Sequence, residues 1–301
     1  MDNVWDCAVV GGGAAGLSAA LVLGRARRRT LVVDAGQQSN RPTTGIGGLL
    51  GHDGRPPTEL YAAGRAELAA YPSITLVEGA VVAGQRGNDG FVLELADGAR
   101  HTARRVLLAT GMDYAHRALD GAAERWGRSV FHCPFCHGWE HRDEPLCVLD
   151  GEASGVHRAL LLRLWSDDVT LLTDRPATLD SDDRERLSAA GVVIDERPVG
   201  GLRGPGDELA AIVFADRSER ACRGLLIAVT LHQRSSLATQ LGATLSPPGP
   251  VVQDAIAVDG RFATDVPGLF AAGDACVQMP TVASAIATGH TAASMVVQSL
   301  L

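Results

Sequence analysis

A glycine-rich turn near the start of the chain restricts its possible folds more than any other feature. Residues 11–16 read Gly-Gly-Gly-Ala-Ala-Gly, which satisfies the pattern G-x-G-x-x-G. The apolar run at 6–10 predicts a short buried strand before the turn, and residues 17–23 predict a helix after it. A second predicted strand at 30–33 ends in Asp34. Strand, turn, helix and strand in this order predict an α/β unit that binds a dinucleotide.

Each part of this turn has a physical task. Gly11 permits the tight turn, Gly13 lets the backbone approach a diphosphate, and Gly16 allows the helix to pack closely on the strand. The start of the helix offers partial positive charge to phosphates, and Asp34 can accept a hydrogen bond from a ribose hydroxyl. The alternative is a glycine-rich turn in an unrelated α/β domain, which the flanking strand, helix and acid disfavour. The predicted contacts are Gly11, Gly13, Ala14, Ala15, Gly16 and Asp34.

Composition and charge exclude several other classes of protein. The 301 residues include 27 basic and 35 acidic side chains, which gives a net charge of −8. We expect neither nucleic acid nor an anionic membrane as a partner, because both need a basic face. Every basic residue is arginine, so a Schiff-base or phosphate-loop lysine is excluded. Since no apolar run approaches about 18 residues and no leader pattern opens the chain, we expect a cytoplasmic protein without a membrane span.

A second signature lies near the end of the chain. Residues 264–275 read Thr-Asp-Val-Pro-Gly-Leu-Phe-Ala-Ala-Gly-Asp-Ala and resemble the closing signature of flavoproteins with two dinucleotide-binding domains. In that superfamily the matching aspartate reaches the flavin's ribityl and diphosphate region, and the following helix points at the ring system. The alternative, tight turns of a large sheet, is disfavoured because the segment at 107–111 fits the same flavin. The resemblance implies FAD, with contacts from Asn40, Val81, Ala109, Thr110, Gly111, Asp274, Thr281 and Val282.

The strand–turn–helix pattern occurs a second time, in altered form. Residues 146–149 and 169–173 predict strands, and a helix is predicted from residue 156. This is the arrangement of a second Rossmann-like half, in which relatives bind NADPH. Asp150 and Glu152 stand where the first two glycines belong.

These two acids predict that the second nucleotide site is lost. Their side chains block the approach of a diphosphate, and like charges about 4 Å apart repel by roughly 4 kcal/mol at an effective dielectric near 20. Residues 173–176, where NADPH-dependent relatives carry a basic motif, read Thr-Asp-Arg-Pro. The alternative is a loosened site that still binds NADH, with Asp174 on its ribose.

The cysteine pair at 133–136, Cys-Pro-Phe-Cys, follows a strand-like run at 129–131. A structural disulfide is disfavoured in a cytosolic chain. A zinc site could use the flanking His132, His137 and His141, but a second ligand pair at the usual spacing is missing. A redox-active dithiol is the favoured interpretation beside a flavin. Four further cysteines are predicted to pack in the core or to carry no chemistry, namely Cys7, Cys147, Cys222 and Cys276.

The order and spacing of these motifs resemble low-molecular-weight thioredoxin reductases over essentially the whole chain. In that family the C-x-x-C pair belongs to the second domain and docks against the flavin. Two departures matter: His137 replaces the usual aspartate, and the NADPH signatures are missing. With these losses, residues 133–140 look most like the dithiol oxidases of gliotoxin and holomycin biosynthesis.

This resemblance implies a FAD-dependent oxidase that closes a disulfide in a small-molecule dithiol and passes the electrons to oxygen, giving hydrogen peroxide. Cys133 would exchange with substrate and Cys136 would lie next to the flavin. His137 is the candidate base, since imidazole titrates near neutral pH; the alternative is a packing histidine. Phe135 and Trp139 could line an apolar pocket or simply pack. Two other functions stay open: a thioredoxin-disulfide reductase fed by NADPH, NADH or ferredoxin, and a binding protein without turnover.

The predicted fold is α/β, with two dinucleotide-binding, Rossmann-like domains, the second inserted into the first. We expect residues 1–113 and 240–301 to form the FAD-binding domain and 114–239 to form the inserted domain. Glycine- and proline-rich stretches at 200–206 and 247–250 predict loops. Family resemblance also implies a homodimer.

Overall fold

The computed structural model describes residues 4–87 and 90–301. Here the chain divides into two compact units. The first runs to Arg41 and also contains Pro57–Ala115 and Thr230–Leu301, and the second contains Pro42–Pro56 and His116–Val229. Within the described part of the chain, every helix is too short or too polar to cross a bilayer.

The limits of these units differ from the expected domain limits at three places, of which the shift of residues 114–115 into the first unit is the smallest. Residues 42–56 belong to the second unit, although they lie between two elements of the first. The reason is local packing: Pro42 and Thr43 lie against Gly127, and Gly47 lies against Cys136. Residues 230–239 belong to the first unit, so the chain returns to it about ten residues earlier than expected.

The first unit is built on a seven-stranded sheet in which β1 pairs in parallel with β2 and β6, and the order is β3-β2-β1-β6-β5-β4. The seventh strand of this sheet, β17, lies outside that order and pairs in parallel with the end of β6. The strands are β1 (Val4–Val10), β2 (Thr30–Asp34), β3 (Ile74–Glu78), β4 (Val81–Gly87), β5 (Gly90–Leu95), β6 (Arg100–Leu108) and β17 (Leu269–Ala271). The helices are α1 (Ala14–Arg25), α2 (Pro57–Leu68), α6 (Leu237–Gln240), α7 (Val282–Ser299) and a short 3-10 turn (Gly273–Ala275). A separate two-stranded sheet pairs β7 (Met112–His116) with β16 (Val229–Gln233).

Alternate residues of the buried strands of this unit face two different hydrophobic cores. Cys7 and Val9 of β1 pack in the core that contains α1 and α7. Ala8 and Val10 pack in the core on the other face, which contains β5 and α6. Because both faces are covered, these strands form continuous apolar runs rather than an alternating pattern.

The second unit has a five-stranded parallel sheet in the order β11-β10-β9-β15-β8 and a three-stranded antiparallel sheet in the order β12-β13-β14. The strands are β8 (Val130–Phe131), β9 (Leu146–Leu149), β10 (Val169–Leu172), β11 (Val193–Asp195), β12 (Val199–Arg203), β13 (Ala211–Phe214), β14 (Glu219–Ala221) and β15 (Gly224–Ile227). The helices are α3 (Pro134–His137), α4 (Ala153–Leu162), α5 (Ser181–Ala189) and a 3-10 turn (Ala123–Arg125). One core lies under α4 and another under the antiparallel sheet.

Two local predictions need correction. The loop predicted at 200–206 is wrong in its first half, because Val199–Arg203 forms β12. Gly200 lies at an irregularity in the register of β12 with β13, between Val199 and Gly201. The bulge there leaves one residue of β12 without a partner on β13. The first helix begins at Ala14, three residues earlier than predicted, because Gly13 acts as its N-cap. Fold class and strand order confirm the predicted α/β architecture.

Candidate dithiol and cofactor sites

The glycine turn after β1 is closed by contacts that only glycine permits. Gly11 has a φ of +111°, and a Cβ there would lie 2.1 Å from the carbonyl oxygen of Ala109. A Cβ at Gly16 would lie 1.8 Å from the carbonyl oxygen of Gly11. Gly13 meets only the Gln38 side chain, at 3.5 Å. Gly11 therefore lets the turn lie against the residue after β6, Gly16 lets α1 pack on the turn itself, and Gly13 leaves the backbone open.

The start of α1 carries free hydrogen-bonding capacity. Gly13 is its N-cap and makes no side-chain cap. The first N–H groups of a helix lack partners inside the helix, so a ligand or water has to accept from them. An open backbone with unpaired donors and a partial positive charge suits a diphosphate.

The crossing of α1 and α7 brings the two cofactor signatures together. A Cβ at Gly289 would lie 2.1 Å from the carbonyl oxygen of Ala15, and one at Gly273 would lie 2.8 Å from the Ala15 Cβ. The predicted helix start is confirmed: Thr281 is the N-cap of α7, and its hydroxyl accepts from the Ser284 N–H.

Asp34 has a different set of partners from the one expected. Its buried carboxylate accepts from the N–H groups of Gly12 and Gly36, at 3.1 and 3.0 Å, and from the Gln38 amide. It also forms an ion pair with Arg65. A carboxylate offers about four lone-pair sites, so these contacts fill it. A ribose hydroxyl would have to replace one of them.

Asp274 lies in the turn after β17, and burial raises the pKa of its carboxyl group. The Tyr114 hydroxyl donates to its Oδ2 at 3.2 Å. Nearby, the Tyr61 hydroxyl donates to Asn40 Oδ1 at 2.8 Å, and burial raises the pKa of Tyr61 to about 12. Asn40 and Asp274 were predicted from the resemblance, whereas the two tyrosines had no local signal in the sequence.

A polar cavity of about 180 Å³ opens beside Asp34. Two of its lining residues are arginines; Arg65 is already paired with Asp34, so Arg41 is the lining cation that favours an anionic ligand. Sequence reasoning missed this lining, because its members come from the loop after β2 and from α2. The lining residues are Gln38, Arg41, Thr58, Tyr61 and Arg65.

The remaining predicted contacts have simpler surroundings. Ala109 and Thr110 follow β6, and Gly111 has a φ of +70° with open space where a Cβ would stand. Val81 begins β4, and its half-buried side chain packs against the core on the β5 face of the sheet. The structure therefore gives Val81 a packing role, and its contact with a cofactor stays a prediction.

Replacing Gly11 by alanine should strongly destabilise the first unit and lower the amount of flavin bound per protein. The new Cβ would overlap the Ala109 carbonyl in a left-handed backbone conformation, so we expect a loss of about 2–4 kcal/mol of unfolding free energy. Denaturant unfolding and flavin absorbance per protein would measure both effects. Gly98→Ala is the matched control, because Gly98 has a φ of +87° but open space around it. Equal effects of the two variants would contradict the proposed clash.

The cysteine pair of the second unit forms a disulfide. Cys133 and Cys136 are bonded, with Cα atoms 5.4 Å apart. Cys133 is the N-cap of α3, and Pro134 occupies its first position, where a missing N–H costs nothing. Gly47 lies against the other cysteine: a Cβ there would come within 2.7 Å of the Cys136 carbonyl oxygen. The Gly47 segment thus packs directly on the backbone of the dithiol.

His137 is held at the end of α3 in a defined orientation. Its Nε2 lies 3.1 Å from the Gly127 carbonyl oxygen, and its ring stacks on Phe131 with centroids 5.3 Å apart. A carbonyl can only accept, so Nε2 carries the proton in the neutral ring. Nδ1 is buried and has no hydrogen-bond partner among the described residues. The lone pair available for accepting a proton is therefore on Nδ1.

Burial lowers the pKa of His137 below its ordinary value. The carbonyls of Gly127 and Cys133 oppose this shift, because each favours the protonated ring. His132 is also buried, and its pKa falls to about 4. His141 stacks on Phe131 at 5.5 Å, and its Nε2 lies 3.2 Å from the Arg128 carbonyl. Burial thus favours the neutral ring at both His137 and His132.

The other cysteines are free thiols. Cys7, Cys147 and Cys222 are buried, which confirms the core packing predicted for the first two. Cys222 also donates to the Gly224 carbonyl at 3.3 Å. Within residues 4–87 and 90–301, three or more His, Cys, Asp or Glu side chains nowhere come together in a way that could hold a metal.

The altered turn after β9 is closed by its own side chains. The Asp150 carboxylate is 5% exposed, forms an ion pair with Arg158 and accepts from the Glu152 N–H at 3.0 Å. The Ser154 hydroxyl donates to it at 2.7 Å. Asp150 therefore fills the turn just before α4 and bonds to the Ser154 side chain of its first turn, although it does not cap the N–H groups of the helix.

The charge argument drawn from the sequence needs correction. Roughly 4 kcal/mol of repulsion assumes unpaired carboxylates, but Arg158 neutralises Asp150 and Arg175 pairs with Glu152. The predicted loss of the nucleotide site therefore depends on the space that Asp150 and Glu152 fill, and not on their charge. Asp174, the alternative ribose acceptor, is also engaged, because it pairs with Arg117 and accepts from the Val199 N–H at 2.6 Å.

Comparisons with known proteins agree with this architecture. The chain is 33% identical over 317 residues to thioredoxin reductase tcpT of Claviceps purpurea, covering 99% of this chain and 95% of the relative. It is 30% identical to thioredoxin reductase sirT of Leptosphaeria maculans, covering 97% and 93%. The crystal structure of HlmI superposes with a TM-score of 0.91 at 38% identity, covering 100% of this chain and 93% of that one.

These matches confirm the predicted resemblance to thioredoxin reductases, and with it an oxidoreductase of the flavoprotein type. The family model of the pyridine nucleotide-disulphide oxidoreductases matches residues 5–289, nearly the whole chain. The Rossmann-like units, the glycine turn and the disulfide are the features that such enzymes combine. The chain belongs to the pyridine nucleotide-disulphide oxidoreductase family.

Proposed function

We propose that this protein is a FAD-dependent dithiol oxidase that closes a disulfide in a small-molecule dithiol. The observation that carries the proposal is the turn after β9, where the Asp150 carboxylate fills the turn itself: it pairs with Arg158 and accepts from the Glu152 N–H. A family member without room for a nicotinamide nucleotide must receive its electrons elsewhere. The Cys133–Cys136 disulfide is the remaining group that can accept them.

The cysteine pair carries the first half of the reaction. A substrate thiolate attacks Cys133 Sγ, the enzyme disulfide breaks, and Cys136 leaves as a thiolate. The second substrate thiolate then attacks the substrate sulfur of the mixed disulfide, and Cys133 leaves as a thiolate. The substrate has lost two electrons and two protons, and the enzyme holds a reduced pair.

His137 takes the proton from the attacking thiol. Its Nδ1 has no hydrogen-bond partner among the described residues but is buried, so the attacking thiol has to enter the space beside it, while Nε2–H is anchored on the Gly127 carbonyl. Once protonated, the ring is favoured by two carbonyls, those of Gly127 and Cys133. The general base is thus neutral before the reaction, and the two carbonyl groups stabilise its protonated form.

The residues of the first unit suit FAD. Open backbone at Gly13, free donors at the start of α1 and the arginine-lined cavity fit the diphosphate and its surroundings. When bound, the flavin supplies a two-electron acceptor that reoxidises the cysteine pair and passes the electrons to oxygen, giving hydrogen peroxide. Asp274, which accepts a hydrogen bond from the Tyr114 hydroxyl, would orient the ribityl chain.

The alternative is a thioredoxin-disulfide reductase fed by NAD(P)H or ferredoxin, which the names of the fungal relatives favour. In such an enzyme electrons flow in the opposite direction, from the flavin to the disulfide. We also propose a homodimer, which sedimentation analysis would test.

Anaerobic titration of the flavin-loaded protein separates the two functions. We expect dithiothreitol to bleach the flavin band and NADPH or NADH to leave it unchanged, because Asp150 fills the nucleotide turn. Admitting air should restore the band and release one hydrogen peroxide per disulfide formed. Bleaching by NADPH that is faster than bleaching by dithiols would overturn the proposal. A flavin band insensitive to both would instead favour reduction by ferredoxin.

A further inference from the structure

A half-buried tyrosine of the first unit contacts the aspartate of the closing signature, and the steps above give this tyrosine no role of its own. The Tyr114 hydroxyl donates to Asp274 Oδ2 at 3.2 Å, across 160 positions of the chain. In the part of the chain that the structure describes, no other side chain hydrogen-bonds to this carboxylate. Since a carboxylate offers about four lone-pair sites, most of them remain for a ligand.

The strand that carries Tyr114, β7, is fixed by hydrogen bonds at its start. The Arg234 guanidinium donates to the Met112 carbonyl at 3.0 Å and to the Asp113 carboxylate at 2.7 Å. The Ser39 hydroxyl donates to the same Met112 carbonyl at 2.8 Å. Because the two residues before Tyr114 are held in this way, the phenol ring projects from a fixed position.

The partner strand of β7 holds the backbone of the aspartate turn. This strand, β16, ends at Gln233, and the Gln233 side-chain amide donates to the Ala275 carbonyl at 2.8 Å and to the Asp254 carbonyl at 3.1 Å. The two-stranded sheet therefore contacts the turn at two points. Gln233 holds the backbone next to Asp274, and Tyr114 holds the carboxylate.

The same contact affects the charge of Asp274. Burial raises the pKa of the Asp274 carboxyl group, whereas the hydrogen bond from Tyr114 and the charge of Arg234 lower it. Burial and the nearby Asp274 carboxylate raise the pKa of Tyr114 well above its ordinary value. The phenol therefore keeps its proton at neutral pH and donates to the carboxylate, which favours the charged form of Asp274.

We propose that Tyr114 is a positioning residue, which orients the Asp274 carboxylate for the hydroxyl groups of the flavin's ribityl chain. This inference rests on the FAD-dependent function proposed above. A carboxylate that is already held in one orientation loses little side-chain freedom when a ligand hydroxyl donates to it. FAD affinity should therefore depend on the Tyr114 hydroxyl, through its bond to Asp274.

The test measures the Kd for FAD by calorimetric titration of the full chain after its flavin has been removed. We expect Tyr114→Phe to weaken FAD binding about tenfold, because the ring is kept and only the hydroxyl is lost. The Kd for ADP, which lacks the ribityl chain, should change less than about twofold. Tyr71→Phe is the matched control and should leave both constants unchanged, since the Tyr71 hydroxyl accepts from Arg25 elsewhere in the same unit.

A double-mutant cycle determines whether Tyr114 acts through Asp274. In an Asp274→Ala background, Tyr114→Phe should change the Kd for FAD less than about twofold. If Asp274→Ala binds no FAD, Asp274→Asn takes its place. Its neutral amide accepts a weaker hydrogen bond than a carboxylate, so the loss should fall to about threefold.

Three results would overturn the inference: FAD binding that is unchanged in Tyr114→Phe, a loss of equal size in both backgrounds, or an equal loss for ADP. The last two would assign Tyr114 to the packing of the unit. A wild type that binds no FAD would overturn the proposed function as well. A wild type that binds FAD with the expected dependence on Tyr114 but oxidises no dithiol would overturn the oxidase function alone.

Discussion

Replacing either Cys133 or Cys136 by serine should abolish dithiol oxidation, with kcat at least about a thousandfold lower. A hydroxyl cannot form the mixed disulfide, and it is too poor a leaving group to be displaced from sulfur. With Cys133→Ser the substrate loses its point of attack. With Cys136→Ser no enzyme disulfide exists to be attacked. Stopped-flow reduction of the flavin by dithiothreitol, followed by peroxide release in air, measures both losses.

The matched control for this pair is Cys222→Ser. Cys222 lies in the same unit, and a serine hydroxyl can keep its hydrogen bond to the Gly224 carbonyl. Thiol counting under denaturing conditions adds a second readout. The oxidised wild type should show four free thiols, and Cys133→Ser should show five, because Cys136 is released. A Cys133→Ser enzyme that still closed disulfides at the wild-type rate would refute a role for the pair.

Replacing His137 by glutamine should lower kcat/KM at neutral pH by about a hundredfold. The glutamine amide can still donate to the Gly127 carbonyl, so the loss reports the missing base at Nδ1. In the wild type the base form persists as the pH falls through about 6.5, because burial lowers the pKa of His137. Activity should therefore decline only at lower pH. The charged and titratable neighbours that act on this ring are Glu140, His141 and His132.

The pH profile of the variant separates a base from a structural role. Without His137 the reaction depends on thiolate already present, so its rate should rise as the substrate thiols ionise near about pH 8.5. The deficit relative to the wild type then shrinks in alkali. His141→Gln is the control, because His141 stacks on the same Phe131 ring and also contacts a backbone carbonyl. A deficit in His137→Gln that stays constant with pH would assign His137 to packing.

Most of the local elements could be predicted because their signals are local. The apolar run at 146–149 coincides with β9, and the glycine turn at 11–16 joins β1 to α1 as expected. Apolar runs and turn residues act within a few positions of the elements that they specify. The wrong loop prediction at 200–203 also comes from a local signal. A bulge in an edge strand contains glycines, and glycines usually indicate a loop.

Contacts between distant segments could not be predicted. Arg65 lies 31 residues from Asp34, yet it neutralises the acid expected to bind ribose. Arg158 removes the repulsion attributed to Asp150, and the Gly127 carbonyl selects the proton-accepting nitrogen of His137. Arginine is common on any surface, and its spacing in the chain does not reveal which carboxylate it reaches.

The amino-acid order was thus sufficient for the α/β class, the two Rossmann-like units and the redox candidate pair, because each depends on short motifs and periodicity. Folding in three dimensions settled what the motifs alone leave open: the contacts that fill the turn at Asp150, the attachment of residues 42–56 to the second unit and the buried Nδ1 of His137 that has no hydrogen-bond partner among the described residues. Charge neutralisation, burial and the choice of tautomer depend on partners that only packing brings within a few ångströms.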